Sequence, residues 1–407
     1  MLGVTPPLPA KPQAAAEEGE RLPFVVAVIL THNRCALLAR CLDAVLAQVP
    51  PPRIVLVVDN ASTDGTAALM RAQVAARPAA VRHVRSERNL GAAGGYRLGV
   101  QRALAETAPD WVWMMDDDGL PADPFCLARL LRAVRRHRAG LAAPLVLDAD
   151  APERLAFPVR RGGRTLFGAA EVAALGPIRG FAHLFNGALV ARATFERIGL
   201  PDTRLVMRGD EVEFLHRARR AGVGVVLDTE ARFLHPGSAP EIHPILFGRF
   251  HAVVPLSADK RFYTFRNRGH IFRTYGRWGM LTADVVRYGW YHLVNRRLDL
   301  RGYGRWAADT WRGVKGDFGD GEDLRPGRPD AGKIATMLGS ELQADAVLLP
   351  VEGAEPRAGP TLGMPRKPSE QPAAACCTEP EADAVVPTAS QVMQCGRGSG
   401  VRVSGCG

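Results

Sequence analysis

From Phe24 onward the chain alternates short apolar runs with amphipathic stretches. "FVVAVIL" is apolar at every position, the pattern of a strand buried on both faces. "THNR" follows, with Asn33 placed to cap a helix over "CALLARCLDAVLAQ". A second strand, "RIVLVV", ends in Asp59, and the loop "DNASTDGT" leads into another helix. A third strand near "VRHVR" ends at "SERNLGAAGGYRLG", whose glycines precede a helix running to about Glu106. The fourth, "WVWMM", runs straight into Asp116, Asp117 and Asp118. Strands and helices alternating in this way predict an α/β fold, a Rossmann-like, mostly parallel sheet covered on both faces. In such sheets ligands collect at the carboxyl ends of the strands, where each of these polar clusters falls.

Beyond about Pro124 the pattern is more mixed. A helix at 125–138 leads to a buried strand, "GLAAPLVL", and a looser Gly/Arg region at 151–182 precedes "HLFNGALVAR". "MRGDEVEFLHRARRAG" predicts a helix closed by Gly222, and "VGVVLDTEARFLHPGS" a strand ending in His235. Residues 244–318 are rich in arginine and aromatics, as in "RFYTFRNRGHIFRTYGRWG". From about 321 the chain is rich in Pro, Gly, Ala and Glu without periodicity, the composition of a disordered tail, and residues 1–22 have a similar cast. No internal repeat is present.

Composition narrows the partners. The 407 residues are 47% hydrophobic, enough for a sizeable core, and carry a net charge of +10, mostly as arginine. That balance suits anionic partners, and it equally suits a GC-rich genome. The seven cysteines show no CxxC spacing, and Cys376 and Cys377 are adjacent, which fits a reducing compartment rather than a disulfide framework. No apolar run nears the ~18 residues of a membrane span, and no signal core opens the chain. A cytoplasmic protein is expected.

The chemistry concentrates in the acidic residues. Alternate residues of an extended segment face the same side, so Asp116 and Asp118 are expected on one side and Asp117 on another. Two such carboxylates suit a hard divalent cation, Mn²⁺ or Mg²⁺, that completes its shell with substrate phosphates and water. Such an ion would offset their repulsion and stabilise a departing diphosphate. The bland alternative is a solvated Asp-rich turn. Asp59 and Asp64 fit contacts to a base or ribose as well as they fit loop capping. The glycines after Arg88 match neither GxGxxG nor a P-loop, and they fit backbone approach to a ligand or a tight turn. Asp210 as N-cap with Glu213 three residues on makes a capping box, which leaves Glu211 for a general base. His235 would join Asp118 as a nitrogen ligand if the metal is present. The aromatic and arginine segment at 260–297 fits an anionic membrane surface, or a helical layer with its arginines in water.

In order along the chain, "VILTHNR", "VVDNASTDGT", "RNLGAAGGYRLG", "WVWMMDDDG", "RGDEVEFLHRARRAG", "FLHPGS" and "FYTFRNRG" resemble the family 2 glycosyltransferases. These are inverting enzymes of the GT-A fold, and the set is similar to that of the initiating galactofuranosyltransferases of actinobacterial cell-wall assembly. The resemblance runs from about Phe24 to about Phe318. It implies a GT-A domain at 23–240 and a helical extension at 241–320, between the lead-in at 1–22 and the tail at 321–407 that composition marks off and the resemblance does not cover. It implies that Thr31 and Asp59 contact the nucleoside, and that Arg88 and Asn89 lie along the sugar nucleotide. Asp116 and Asp118 match the metal-binding motif, with Asp117 close to the donor and His235 the later metal ligand. Glu211 takes the place of the catalytic base, although many members carry aspartate there, which keeps Asp210 as the alternative. The implied donor is UDP-galactofuranose, with a dTDP-rhamnose-dependent enzyme as the second choice. The implied acceptor is a lipid-linked glycan at the inner membrane face. The longer polymerising relatives carry an added N-terminal domain that the residues before Phe24 do not supply, so addition of a first sugar or two is expected.

Two other function classes start from the same residues. "DDDGL" resembles the DxDG signature of haloacid-dehalogenase-type phosphatases, but there it ends the first core strand, and here the fourth. Those enzymes also use a lysine, and between the lead-in and Lys315 the chain offers only Lys260. An arginine-rich nucleic-acid binder would explain the charge and leave three aspartates repelling phosphate. No nucleic-acid partner is expected.

Overall fold

The structure, a computed structural model, describes residues 22–319 and the short strand Ala346–Val347. The expected lead-in and tail otherwise lie outside the described residues. The first half runs β1 (Val25–Thr31), α1 (Cys35–Leu46), β2 (Ile54–Asp59), α2 (Thr66–Ala76), β3 (Val81–Ser86), α3 (Gly91–Thr107) and β4 (Trp111–Asp116). β1 pairs in parallel with β2 and with β4, and β2 in parallel with β3. Alternate residues of β1 serve two cores. Val26, Val28 and Leu30 pack with Tyr96 and Val100 of α3, while Val25, Ala27 and Ile29 meet Leu38, Leu42 and Val45 of α1. Burial on both faces is why the run is apolar throughout.

The second half runs β5 (Leu120–Pro121), α4 (Cys126–His137), β6 (Leu141–Asp148), β7 (Arg154–Arg161), β8 (Arg164–Gly168), α5 (Ala169–Ala173), β9 (Ile178–Arg179), β10 (Asn186–Ala191), α6 (Arg192–Ile198), α7 (Asp210–Arg220) and β11 (Val225–His235). The sheet order is β3-β2-β1-β4-β10-β6-β11-β5. β10 is antiparallel to both β4 and β6, whereas β11 runs parallel to β6. Along this order the strands run parallel except β10 at the middle and the short β5 at the edge, which are reversed. The region at 151–182, expected to be loose, contains the β7–β8 hairpin, α5 and β9.

A C-terminal layer follows: β12 (Ile242–Ile245), β13 (Phe250–Val253), α8 (Ala258–Thr274), α9 (Trp278–Trp290) and α10 (Leu300–Lys315). It has a core of its own, built from Ile245, Ala252, Phe265, Tyr288, Tyr291 and Trp306. α8 and α10 approach backbone to backbone, since a Cβ on Gly313 would strike the carbonyl of Arg266, and one on Gly269 that of Thr310. No helix among the described residues is long and apolar enough to cross a membrane.

Two expected caps are corrected. Asn33 does not cap α1: it sits at φ 53 and its side chain accepts from the Thr63 N–H at 2.6 Å. The Cys35 N–H at the start of α1 is met instead by Asp64 Oδ2 at 3.0 Å. Asp210 is not an N-cap either. Gly209 holds that position at φ 105, and its N–H donates to Glu211 Oε2 at 2.8 Å.

Candidate active site

β4 ends at Asp116, so the two-residue alternation stops there and the three carboxylates separate by neighbour. Asp116 Oδ1 accepts from the Tyr96 hydroxyl at 2.6 Å. Asp117 Oδ2 accepts from Thr31 Oγ1 at 2.7 Å, tying the end of β4 to the end of β1. Arg34 NH1 lies 3.1 Å from Asp117 Oδ1 and 2.6 Å from Asp118 Oδ2. The expectation that Asp117 faces away from Asp118 is thereby corrected, because a turn after β4 lets one guanidinium hold both. His235, at the end of β11, brings Nε2 to 3.3 Å from Asp118 Oδ1.

The same neighbours set three different acidities. Burial and the Asp118 charge lift Asp116 to about 7, against the hydrogen bond from Tyr96. Burial also works on Asp118, yet His235 and Arg34 outweigh it and hold that carboxyl at about 2. Burial raises Asp117 above the usual carboxylate range despite its bonds to Thr31 and Arg34. Burial alone would lower His235, but Asp118 more than reverses that.

The Asp118–His235 pair fits a divalent cation. Asp118 Oδ1 is buried and makes no well-formed hydrogen bond. The other ring nitrogen, His235 Nδ1, donates to the Pro236 carbonyl at 2.8 Å, which fixes the ring with Nε2 toward the carboxylate. An oxygen and an imidazole nitrogen suit Mn²⁺, with Asp116 beside them. Among the described residues no group of three His, Cys, Asp or Glu is placed to hold a metal unaided. A site completed by substrate phosphate and water is what this donor set allows.

The other expected residues are spread along the same sheet end. Asp59 is fully buried, accepting from the Ser62 N–H and from Arg85 NH1, both at 2.7 Å. Asn60 ties β2 to the start of α3, donating to Asn89 Oδ1 at 2.9 Å and accepting from the Leu90 N–H at 2.8 Å. Arg88 is exposed beside them. The glycines that follow serve packing: a Cβ on Gly99 would stand 2.5 Å from Val28 Cγ1 and 2.8 Å from Val58 Cγ2.

α7 delivers the remaining acids. Asp210 is buried with Oδ2 unpartnered, and burial together with Glu211 drives it well above the carboxylate range. Glu211 is half-buried. The loop before them carries Val206 at φ 63 and Arg208 at φ 59, conformations that need outside support. Asn267 of α8 supplies it, donating through Nδ2 to the carbonyls of Leu205, Met207 and Arg208 at 2.8, 3.0 and 2.8 Å. Arg266 adds a bond from NH2 to the Arg204 carbonyl at 2.8 Å and donates through Nε to Asn267 Oδ1 at 3.0 Å.

Residues 26–189 match the glycosyl transferase family 2 model. The chain is 42% identical over 299 residues to galactofuranosyltransferase GlfT1 of Mycobacterium tuberculosis, covering 72% of this chain and 97% of that one. The chain belongs to glycosyltransferase family 2. The protein of the same name from Mycolicibacterium smegmatis is 42% identical over 288 residues, 69% of this chain and 93% of its own. A mannosyltransferase from Pyrobaculum calidifontis, solved with GDP-Man and Mn²⁺, gives a TM-score of 0.42 at 18% identity over 82% of this chain and 83% of that one. In this glycosyltransferase Arg34, Tyr96 and Asn267 escaped the residue-by-residue reading. Arg34 stood in "THNR" at a strand end, which is the one signal that pointed to it.

Proposed function

We propose that this glycosyltransferase moves galactofuranose from UDP-galactofuranose to a lipid-linked glycan acceptor in cell-wall or polysaccharide synthesis, working at the cytoplasmic membrane face. The observation that carries it is the 42% identity over 97% of a galactofuranosyltransferase's length. Asp118 and His235, with Asp116 beside them, would hold Mn²⁺ or Mg²⁺. When bound, that ion supplies positive charge against the departing diphosphate.

The chain's own residues then divide the work. Thr31, Asp59, Arg88, Asn89 and Asp117 line the donor side. Glu211 takes the proton of the acceptor hydroxyl as its oxygen attacks the anomeric carbon. The new carbon–oxygen bond forms on the face opposite the nucleotide. The bond to the diphosphate breaks with its electron pair, so the anomeric configuration inverts. Burial and the neighbouring Glu211 raise the Asp210 carboxyl and favour its neutral form, which leaves Glu211 as the base of this proposal and Asp210 as the alternative.

The test supplies purified enzyme with UDP-galactofuranose or dTDP-rhamnose, Mn²⁺ and a synthetic lipid-linked acceptor. Mass spectrometry should show one or two added hexoses from the UDP donor alone. Addition from dTDP-rhamnose, or from neither donor, would overturn the assignment.

A further inference from the structure

On α7, Asp210 opens the helix at the candidate site and Arg219 and Arg220 close it. At 1.5 Å per residue those ends stand roughly 15 Å apart. The far end meets the last turn of α8 around an open surface depression of about 630 Å³ lined by His216, Arg219, Arg220, Arg273, Tyr275 and Arg277, all four arginines being exposed. Among the described residues none of these four arginines forms an ion pair with a carboxylate. The carboxylate reached through the wall of the depression is Glu213, and it is already held by Arg217 Nε at 2.8 Å and by the Tyr275 hydroxyl at 2.8 Å. Arg273 spends one nitrogen on the carbonyls of Val314 and Lys315, at 3.0 and 2.9 Å, which fixes its guanidinium at the rim. The His216 ring stacks on Tyr275 at 4.8 Å and walls one side.

Unpaired like charges gathered in a concavity repel one another. Burial and then the Arg277 charge already push Arg219 below its ordinary value, and His216 responds in the same direction to burial, Arg277 and Arg219. Such a cluster is stabilised by whatever anion enters it. Arginine forks match the oxygens of phosphate two at a time.

We infer that this depression binds a phosphate or diphosphate group, as a second anion site distinct from the donor site. Two sources carry that group: a free phosphate compound, or the headgroup of an anionic lipid. The second gains support from Trp278 and Met280, which follow Arg277 and are 51% and 43% exposed. The site stands independently of the transfer reaction, since none of its residues belongs to the acidic cluster.

The experiment uses the full chain in EDTA, so that a metal-dependent donor site stays silent. Inorganic pyrophosphate is titrated calorimetrically, and phosphatidylglycerol and phosphatidylcholine vesicles are sedimented with the protein. The variants are Arg219→Ala with Arg277→Ala, the same pair changed to Lys, and a charge-matched control, Arg40→Ala with Arg71→Ala, on exposed helix positions. Pyrophosphate binding weakened at least ~10-fold by the Ala pair, and less by the Lys pair, assigns the site to free phosphate compounds. Selective phosphatidylglycerol binding lost in the Ala pair, without pyrophosphate binding, assigns it to a lipid headgroup. The proposal is overturned if the wild type binds neither probe, or if the control pair weakens binding as much as the Arg219 and Arg277 pair. Unchanged melting of the Lys pair guards against loss of fold.

Discussion

Replacing Glu211 by Gln removes a charge and almost no volume, so it separates proton transfer from binding. Donor affinity should stay at the wild-type value while transfer falls ~10²–10⁴-fold, the usual contribution of a general base. Asp210 provides the counter-test. Burial and Glu211 favour its neutral form, which Asn copies, so with Glu211 as the base Asp210→Asn should keep transfer within roughly tenfold of wild type. Steady-state kinetics on both variants would show a reversed pattern if Asp210 were the base. At this scale the sequence was informative about which acids matter and silent about how they differ. Asp116, Asp117 and Asp118 are identical letters, and Tyr96, Thr31, Arg34 and His235 make them unequal. Those partners lie far along the chain, and nothing local to the triad names them.

At the scale of elements, β1, β2 and β4 were legible because each is buried on both faces and reads as an apolar run, while β3, VRHVRS, was legible from its place in the strand–helix rhythm. The reversed β10 was not legible, since direction depends on the long 149–185 connection rather than on the strand's own residues. The "FRNRG" motif gains its meaning here: Asn267 pins the loop that feeds α7. Asn267→Ala takes the side-chain donor from the Met207 and Arg208 carbonyls, at about 1–3 kcal/mol for each one left buried and unmet, while Leu205 keeps the Met207 N–H and Arg266. Loosening that loop should lower kcat while donor affinity holds. A loss confined to donor affinity would place the role of Asn267 elsewhere. Helix packing gives a separate prediction. A Cβ on Gly313 meets the Arg266 backbone, which cannot rotate away, so Gly313→Ala should cost about 1–3 kcal/mol and lower the melting temperature.

For the whole molecule, acid sensitivity follows from two histidines outside the acidic cluster. Burial pushes His183 to about 4, and burial with the Arg204 charge does the same to His270. Their folded values lie below the ordinary 6.5, so the unfolded chain binds more protons between those limits and stability rises with pH across that window. Chemical unfolding at pH 7 and pH 5 should show a loss on the order of 2 kcal/mol per histidine at the lower pH. His183→Gln should flatten part of that slope, and an unchanged slope would refute its share. The central claim is that the acidic cluster serves a sugar nucleotide through a metal. It is tested most directly by melting wild type and Asp118→Ala with UDP, with and without Mn²⁺. A ligand at 100 times its dissociation constant stabilises a fold by about 2.7 kcal/mol. The account predicts a UDP shift in wild type only when Mn²⁺ is present, and none in Asp118→Ala. An equal shift in both proteins without metal would contradict it.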